Sequence, residues 1–180
     1  MTTDAIAHAM VAARRYLERH PEPLADIPVV ATLVGGLRVR AATADRWSVT
    51  TDMPPEVGGA GSGPTPGTLL RAALATCDVT TVAMCAAEAG IELTRAEATV
   101  ESTSDHRGLL AGGGVAPGPL EITVRYRLEA AGAGAARLHE LLRAAEARSP
   151  VADALRGART PRVELATDSA GEAESSASGG

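Results

Sequence analysis

Two periods of apolar residues divide this chain into helices and strands. From about Asp4 to His20, Ile6, Met10, Ala13 and Leu17 recur at helical spacing opposite Arg14, Arg15, Glu18 and Arg19, which predicts a surface helix ended by Pro21 and Pro23. From Ile27 to Ala42 the pattern turns to β character, as two short strands or one strand bent at Gly35 and Gly36. Around Arg46 to Thr51, Trp47, Val49 and Thr51 alternate with polar neighbours, which predicts a half-buried strand. A long Gly- and Pro-rich loop follows, and then the stretch that organises the chain, Pro66 to Ala89. It is bounded by Pro64, Pro66 and Gly90 and carries only Arg71, Asp78 and Glu88 as charges. A helix apolar nearly all round is a buried one. At 24 residues it is about 36 Å long, more than one small sheet covers, and a second subunit is the economical way to cover the rest.

After this helix the two-residue period returns. Arg95 to Thr103 alternates Ala96, Ala98, Val100 and Ser102 with polar residues, and Pro119 to Glu129 sets Leu120, Ile122, Val124, Tyr126 and Leu128 against Glu and Arg. The two runs pair as antiparallel neighbours across Gly108 to Gly118. A helix over 134–147 follows, then one starting at Ser149-Pro150 with Ser149 as N-cap, then a last strand over 161–166. The fold class is α+β, helices packed on antiparallel strands. Residues 1–26 form an N-terminal helix and linker, 27–166 one domain, and 167–180, rich in Ser, Gly, Ala and Glu, a disordered tail.

Composition narrows the class. At 180 residues and 45% hydrophobic content, one core is affordable and two would be marginal. With 2% aromatics and no Phe, Leu, Val, Ile and Ala must fill it, and base stacking on single-stranded nucleic acid has little to work with. All 17 basic residues are Arg, and the net charge of -5 is spread along the chain without a basic patch for nucleic acid or an anionic membrane. The N-terminus shows no signal-peptide core, and Arg71 and Asp78 interrupt the longest apolar run, so a cytoplasmic, non-membrane protein is expected.

The candidate chemistry centres on Cys77. A free cysteine on an apolar helix is ordinarily a small core residue, and mid-helix it lacks the dipole that lowers a thiol pKa at a helix N-terminus. Activation needs a cation, and Arg38, Arg40, Arg46 and Arg71 all qualify from sequence. Cys85 lies among Met84, Ala86 and Ala87 without polar company, and eight residues along one helix place it about 12 Å from Cys77, beyond disulfide reach. His8, His20, His106 and His139 are scattered, so no metal site and no cofactor are expected. Asp105-His106-Arg107-Gly108 reads as a turn, and GGAGSG lacks the order of a phosphate loop.

The segments TDMPPEVGGAGSGPTPGTLLRAALATC, AAEAGIEL, SDHRG, VAPGPLEITV and RSPVADAL, spread from Val29 to Ala166, resemble the OsmC/Ohr superfamily of osmotically inducible and organic hydroperoxide resistance proteins. The resemblance implies an intertwined homodimer with two long central helices between two sheets and pockets at the subunit interface. It implies a peroxide-attacking thiol at Cys77, a resolving-cysteine position at Ser149, an orienting Glu at the position of Gly67, and an Arg from the early strands matched by Arg38 or Arg40. Ser149 and Gly67 depart from that pattern, as in the OsmC-like branch with SPV in place of the second cysteine. Two activities are expected from it: a one-cysteine reductase of organic hydroperoxides using an external thiol, or a non-catalytic dimer binding a small apolar ligand at the interface.

Overall fold

A computed structural model describes residues 2–111, 114–157 and 160–165. In chain order it contains helix α1 (Thr3–Arg19), strands β1 (Val30–Gly35), β2 (Arg38–Ala42) and β3 (Ser48–Thr51), a single 3-10 turn (Pro55–Val57) and helix α2 (Pro66–Glu88). Strand β4 (Leu93–Ser104), helix α3 (Arg107–Leu110), strand β5 (Pro119–Ala130), and helices α4 (Ala135–Glu146) and α5 (Pro150–Arg156) complete it. The fold is α+β: a three-stranded antiparallel sheet in the order β1-β2-β3, an antiparallel pair β4-β5, and the long helix α2.

Helix α2 starts where the sequence predicts. Thr65 caps it by accepting the Thr68 N–H at 3.2 Å, Pro66 occupies the first turn, and Gly90 leaves it at φ 64°. One side lies on the inward face of β4-β5, where Ala96 pairs with Leu128, Ala98 with Tyr126, Val100 with Val124 and Ser102 with Ile122. α4 closes the other end, and the core is Val82, Cys85, Ala86, Ile91, Leu141 and Ala145. By length and hydropathy α2 is apolar enough to cross a membrane. Here it is instead the core helix, with β4, α4, α1 and α5 packed on it. Its internal charges are satisfied inside the fold, Arg71 donating to Ser102 Oγ at 3.2 Å and Asp78 accepting from β5 and the start of α5.

The glycine pair makes two strands, not one bent one: Gly35 and Gly36, at φ 140° and 57°, turn β1 back onto β2. Trp47 does not point inward. Arg46 takes the left-handed conformation at φ 79°, β3 begins only at Ser48, and Trp47 is 53% exposed. The run 161–165 forms no strand, because among the described residues no edge pairs with it; Val163 and Leu165 are 90% and 89% exposed. Ala166 and the predicted tail lie outside the described residues. Asp105–Gly108 is tighter than a turn and enters the one-turn helix α3, with Asp105 accepting from the Arg107 N–H at 3.0 Å.

The covering of α2 is one-sided within a single chain. Leu74, Asp78, Thr81, Val82, Cys85, Ala86 and Ala87 are buried, whereas Ala72, Ala73, Thr76 and Thr80 are exposed. Every residue of β1 is exposed too, Val30 and Leu33 by 64% and 65%.

A thiol, a serine and a buried carboxylate

The loop leading to α2 sets the helix in place, and Asp52 organises it. Its carboxylate accepts from the Met53 N–H at 2.8 Å, the Ala60 N–H at 3.2 Å, the Ser62 N–H at 3.0 Å and the Ser62 hydroxyl at 2.7 Å. The backbone and hydroxyl of Ser62, ahead of the opposing effect of burial, hold this carboxyl below its usual range. The loop folds so tightly that a Cβ on Gly59 would sit 1.8 Å from the Met53 carbonyl oxygen. The Asp52 N–H continues toward Pro64, donating to its carbonyl at 3.2 Å.

Three turns into α2, Cys77 is half-buried on the wall of an open cleft of about 470 Å³. Thr76, Thr80 and Met84 line it from the same helix, and Arg148 and Pro150 from the start of α5. Cys77 Sγ lies 3.4 Å from Ser149 Oγ. Ser149, 1% exposed, caps α5 by accepting the Ala152 N–H at 3.3 Å and donates its hydroxyl hydrogen to Asp78 Oδ1 at 2.6 Å. Asp78, 3% exposed, accepts a second hydroxyl on Oδ2, from Tyr126 of β5 at 2.6 Å. Burial first, and then the bond to Asp78, raise the Tyr126 hydroxyl well above its ordinary value of 10.0, so it stays a donor.

Of the residues singled out from sequence, this arrangement gathers Cys77 and Ser149. Arg38 and Arg40 lie on β2, which packs on β1 and β3, and among the described residues neither hydrogen-bonds the thiol. Arg71 is engaged by Ser102 and, at 3.4 Å, Thr68. Gly67 is exposed in the first turn of α2, where a Cβ would stand 3.8 Å from Arg71 Nη1. The guanidinium that does line the cleft is Arg148, which the sequence reading does not single out. It bonds Glu88 and donates to Cys85 Sγ at 3.4 Å, so Cys85 has polar company after all. Burial nonetheless pushes the Cys85 thiol up, with Arg148 opposing. Asp78 is a further site residue that the sequence reading does not single out. Its one signal is a carboxylate placed next to Cys77 on an otherwise apolar helix face. Both cysteines are free, and among the described residues no cluster of His, Cys, Asp and Glu could hold a metal.

Comparison with known proteins places this chain in a family. An OsmC-like protein from Mycoplasma pneumoniae has a similar structure, with a TM-score of 0.62 at 19% identity over 74% of this chain and 89% of that one. An organic hydroperoxide resistance protein from Legionella pneumophila superposes with a TM-score of 0.58 at 23% identity, over 76% and 93% of the two chains. One from Elizabethkingia anophelis gives 0.57 at 19% identity, over 76% and 92%. At these identities the likeness establishes the fold. No curated protein matches the chain. The model of the OsmC-like protein family matches residues 59–165, from the Asp52-bound loop through both cysteines and Ser149 to the last described residue, and the chain belongs to that family.

Proposed function

We propose that the protein is a redox protein of stress defence in which Cys77 reduces organic hydroperoxides with the help of an external thiol. The observation that carries this reading is the half-buried Cys77 sulfur on the wall of an open, mostly apolar cleft, in a family whose structural relatives include organic hydroperoxide resistance proteins. The Cys77 sulfur attacks the outer oxygen of ROOH, the O–O bond breaks, and the thiol proton leaves with the alkoxide as ROH, giving a sulfenic acid. Ser149 stands where a resolving thiol would be needed, so an external thiol condenses with the sulfenic acid and releases water. A second external thiol restores Cys77 and leaves as a disulfide. Purified protein is expected to consume cumene hydroperoxide in the presence of dithiothreitol, Cys77→Ser to lose this and Cys85→Ser to keep it. No turnover by the unaltered protein, with no sulfenic acid on Cys77 after peroxide, would sink the reading.

A second reading, a non-catalytic dimer binding a small apolar ligand at the interface, draws on the absence, among the described residues, of a guanidinium bonded to Cys77 and on Gly67 and Ser149 in place of Glu and Cys. Turnover lost in Cys77→Ser and kept in Cys85→Ser would remove it. Both readings include a cytoplasmic homodimer. The exposed side of α2 and the uncovered strand β1 support the pairing. A monomer by sedimentation at micromolar concentration would count against it.

A further inference from the structure

We infer that Asp78 is a positioning residue for Cys77, acting through Ser149: by taking the serine's only hydroxyl hydrogen, it makes Ser149 an acceptor toward the sulfur, so that the cysteine rests as a hydrogen-bond donor. The inference rests on the reading of Cys77 as the reactive group, and it adds a restraint which that reading does not contain.

Counting hydrogens leads to it. A serine hydroxyl has one hydrogen to give, and a carboxylate only accepts. Ser149 Oγ lies 2.6 Å from Asp78 Oδ1, so the hydrogen points there. The Ala152 N–H at 3.3 Å points into the same oxygen. What remains for Cys77 Sγ at 3.4 Å is a lone pair of Ser149, and the bond is made only if the S–H donates. A thiolate in the same place would face that lone pair, and could be solvated by Ser149 only after the serine let go of Asp78. Asp78 is in turn held from the other side by the Tyr126 hydroxyl, and with 3% exposure it has little water to replace a lost donor. Among the described residues, the charged neighbours shown around this chain of bonds do not release it. Glu146 of α4 adds negative charge near Tyr126, and the Arg148 guanidinium beside Ser149 is taken up by Glu88 and Cys85.

The test is the rate at which iodoacetamide alkylates Cys77 between pH 6 and 10, measured in full-length protein carrying Cys85→Ser. Asp78→Ala and Asp78→Leu, which offer the serine no acceptor, are each expected to raise the rate at pH 7 by about tenfold, the scale of one bond to a charged acceptor, and to move the profile to lower pH. Ser149→Ala is expected to raise it less, and adding Asp78→Ala to Ser149→Ala to change it by under about threefold, since the path through the serine is already gone. A purely structural role for Asp78 would not produce that dependence. Folded Asp78 variants with an unchanged or slower rate would overturn the inference. Should those variants fail to fold, Ser149→Ala decides alone, an unchanged or slower rate again overturning it. Alkylation requires no hydroperoxide, so absence of turnover in the unaltered protein defeats the redox reading without touching this result.

Discussion

The two sheets of this protein are built to the same recipe and meet different fates. β4-β5 alternates apolar and polar residues, and its inward face is covered by α2. In β1-β2-β3 the register puts Ala31 and Leu33 opposite Ala41 and Val39, with Val49 opposite Ala41, so one face is just as apolar. Yet Leu33 is 65% exposed, and β1 has no buried residue. The outer pairs on β4-β5, Arg125 with Glu101 and Arg95 with Glu129, show what a wet face looks like in this chain. The apolar face of the first sheet carries nothing of the kind. An alternating strand therefore records that a face is meant to be covered, but not whether the same chain covers it. Cys77 sits at the seam, its helix buried on one side and open on the other.

Four measurements press on this contrast. Leu141→Ala, in the covered core, is expected to cost about 2–5 kcal/mol in denaturant unfolding, and a loss under 1 kcal/mol would mean the core is not where we place it. Leu33→Asp, on the uncovered sheet, is expected to leave helix content intact while weakening self-association at least about tenfold by sedimentation. If it unfolds the chain instead, the two sheets are not separate in this sense. Ser149→Cys is expected to oxidise to a disulfide with Cys77, seen as a loss of two hydrogens by mass, because the two side chains already touch. The smallest effect comes from acid. The Arg148 hydrogen bond, ahead of the opposing effect of burial, holds Glu88 below its ordinary 4.5. A carboxyl lowered in the folded state contributes stability that is complete above pH 4.5 and lost as pH falls through the lowered value. Arg148→Ala should lower stability slightly at neutral pH and progressively less as pH falls through the lowered value, which flattens the acid side of the profile, as urea titrations at several pH values would show.

Much of the covered half was legible in the sequence. Pro66 and Gly90 bound α2 to within a residue, the alternation of β5 names most of its inward face, and Ser149-Pro150 announces a helix start whose cap the structure contains. These signals are local, and local backbone geometry reads them out. What stayed hidden depends on contacts far apart in sequence. Asp78 reads as an interruption of an apolar helix, and only the approach of Tyr126 and Ser149, 48 and 71 residues away, turns it into a hydrogen-bond hub. Arg148 reads as one more arginine until α5 brings it to the cleft. The alternation over 161–165 resembles that of β5 but finds no neighbouring edge among the described residues.

The loop before α2 looks like spacer, full of glycine and proline, and would ordinarily be the first place to lengthen or splice. Its geometry says otherwise. A residue at position 59 has no room for even one carbon beyond the backbone, and Asp52 gathers donors from both ends of a ten-residue span onto one carboxylate. Such a loop behaves as a ruler. Single insertions in it should prove as poorly tolerated as insertions in a core strand, and an engineer wishing to change how the first sheet is presented would do better to cut elsewhere.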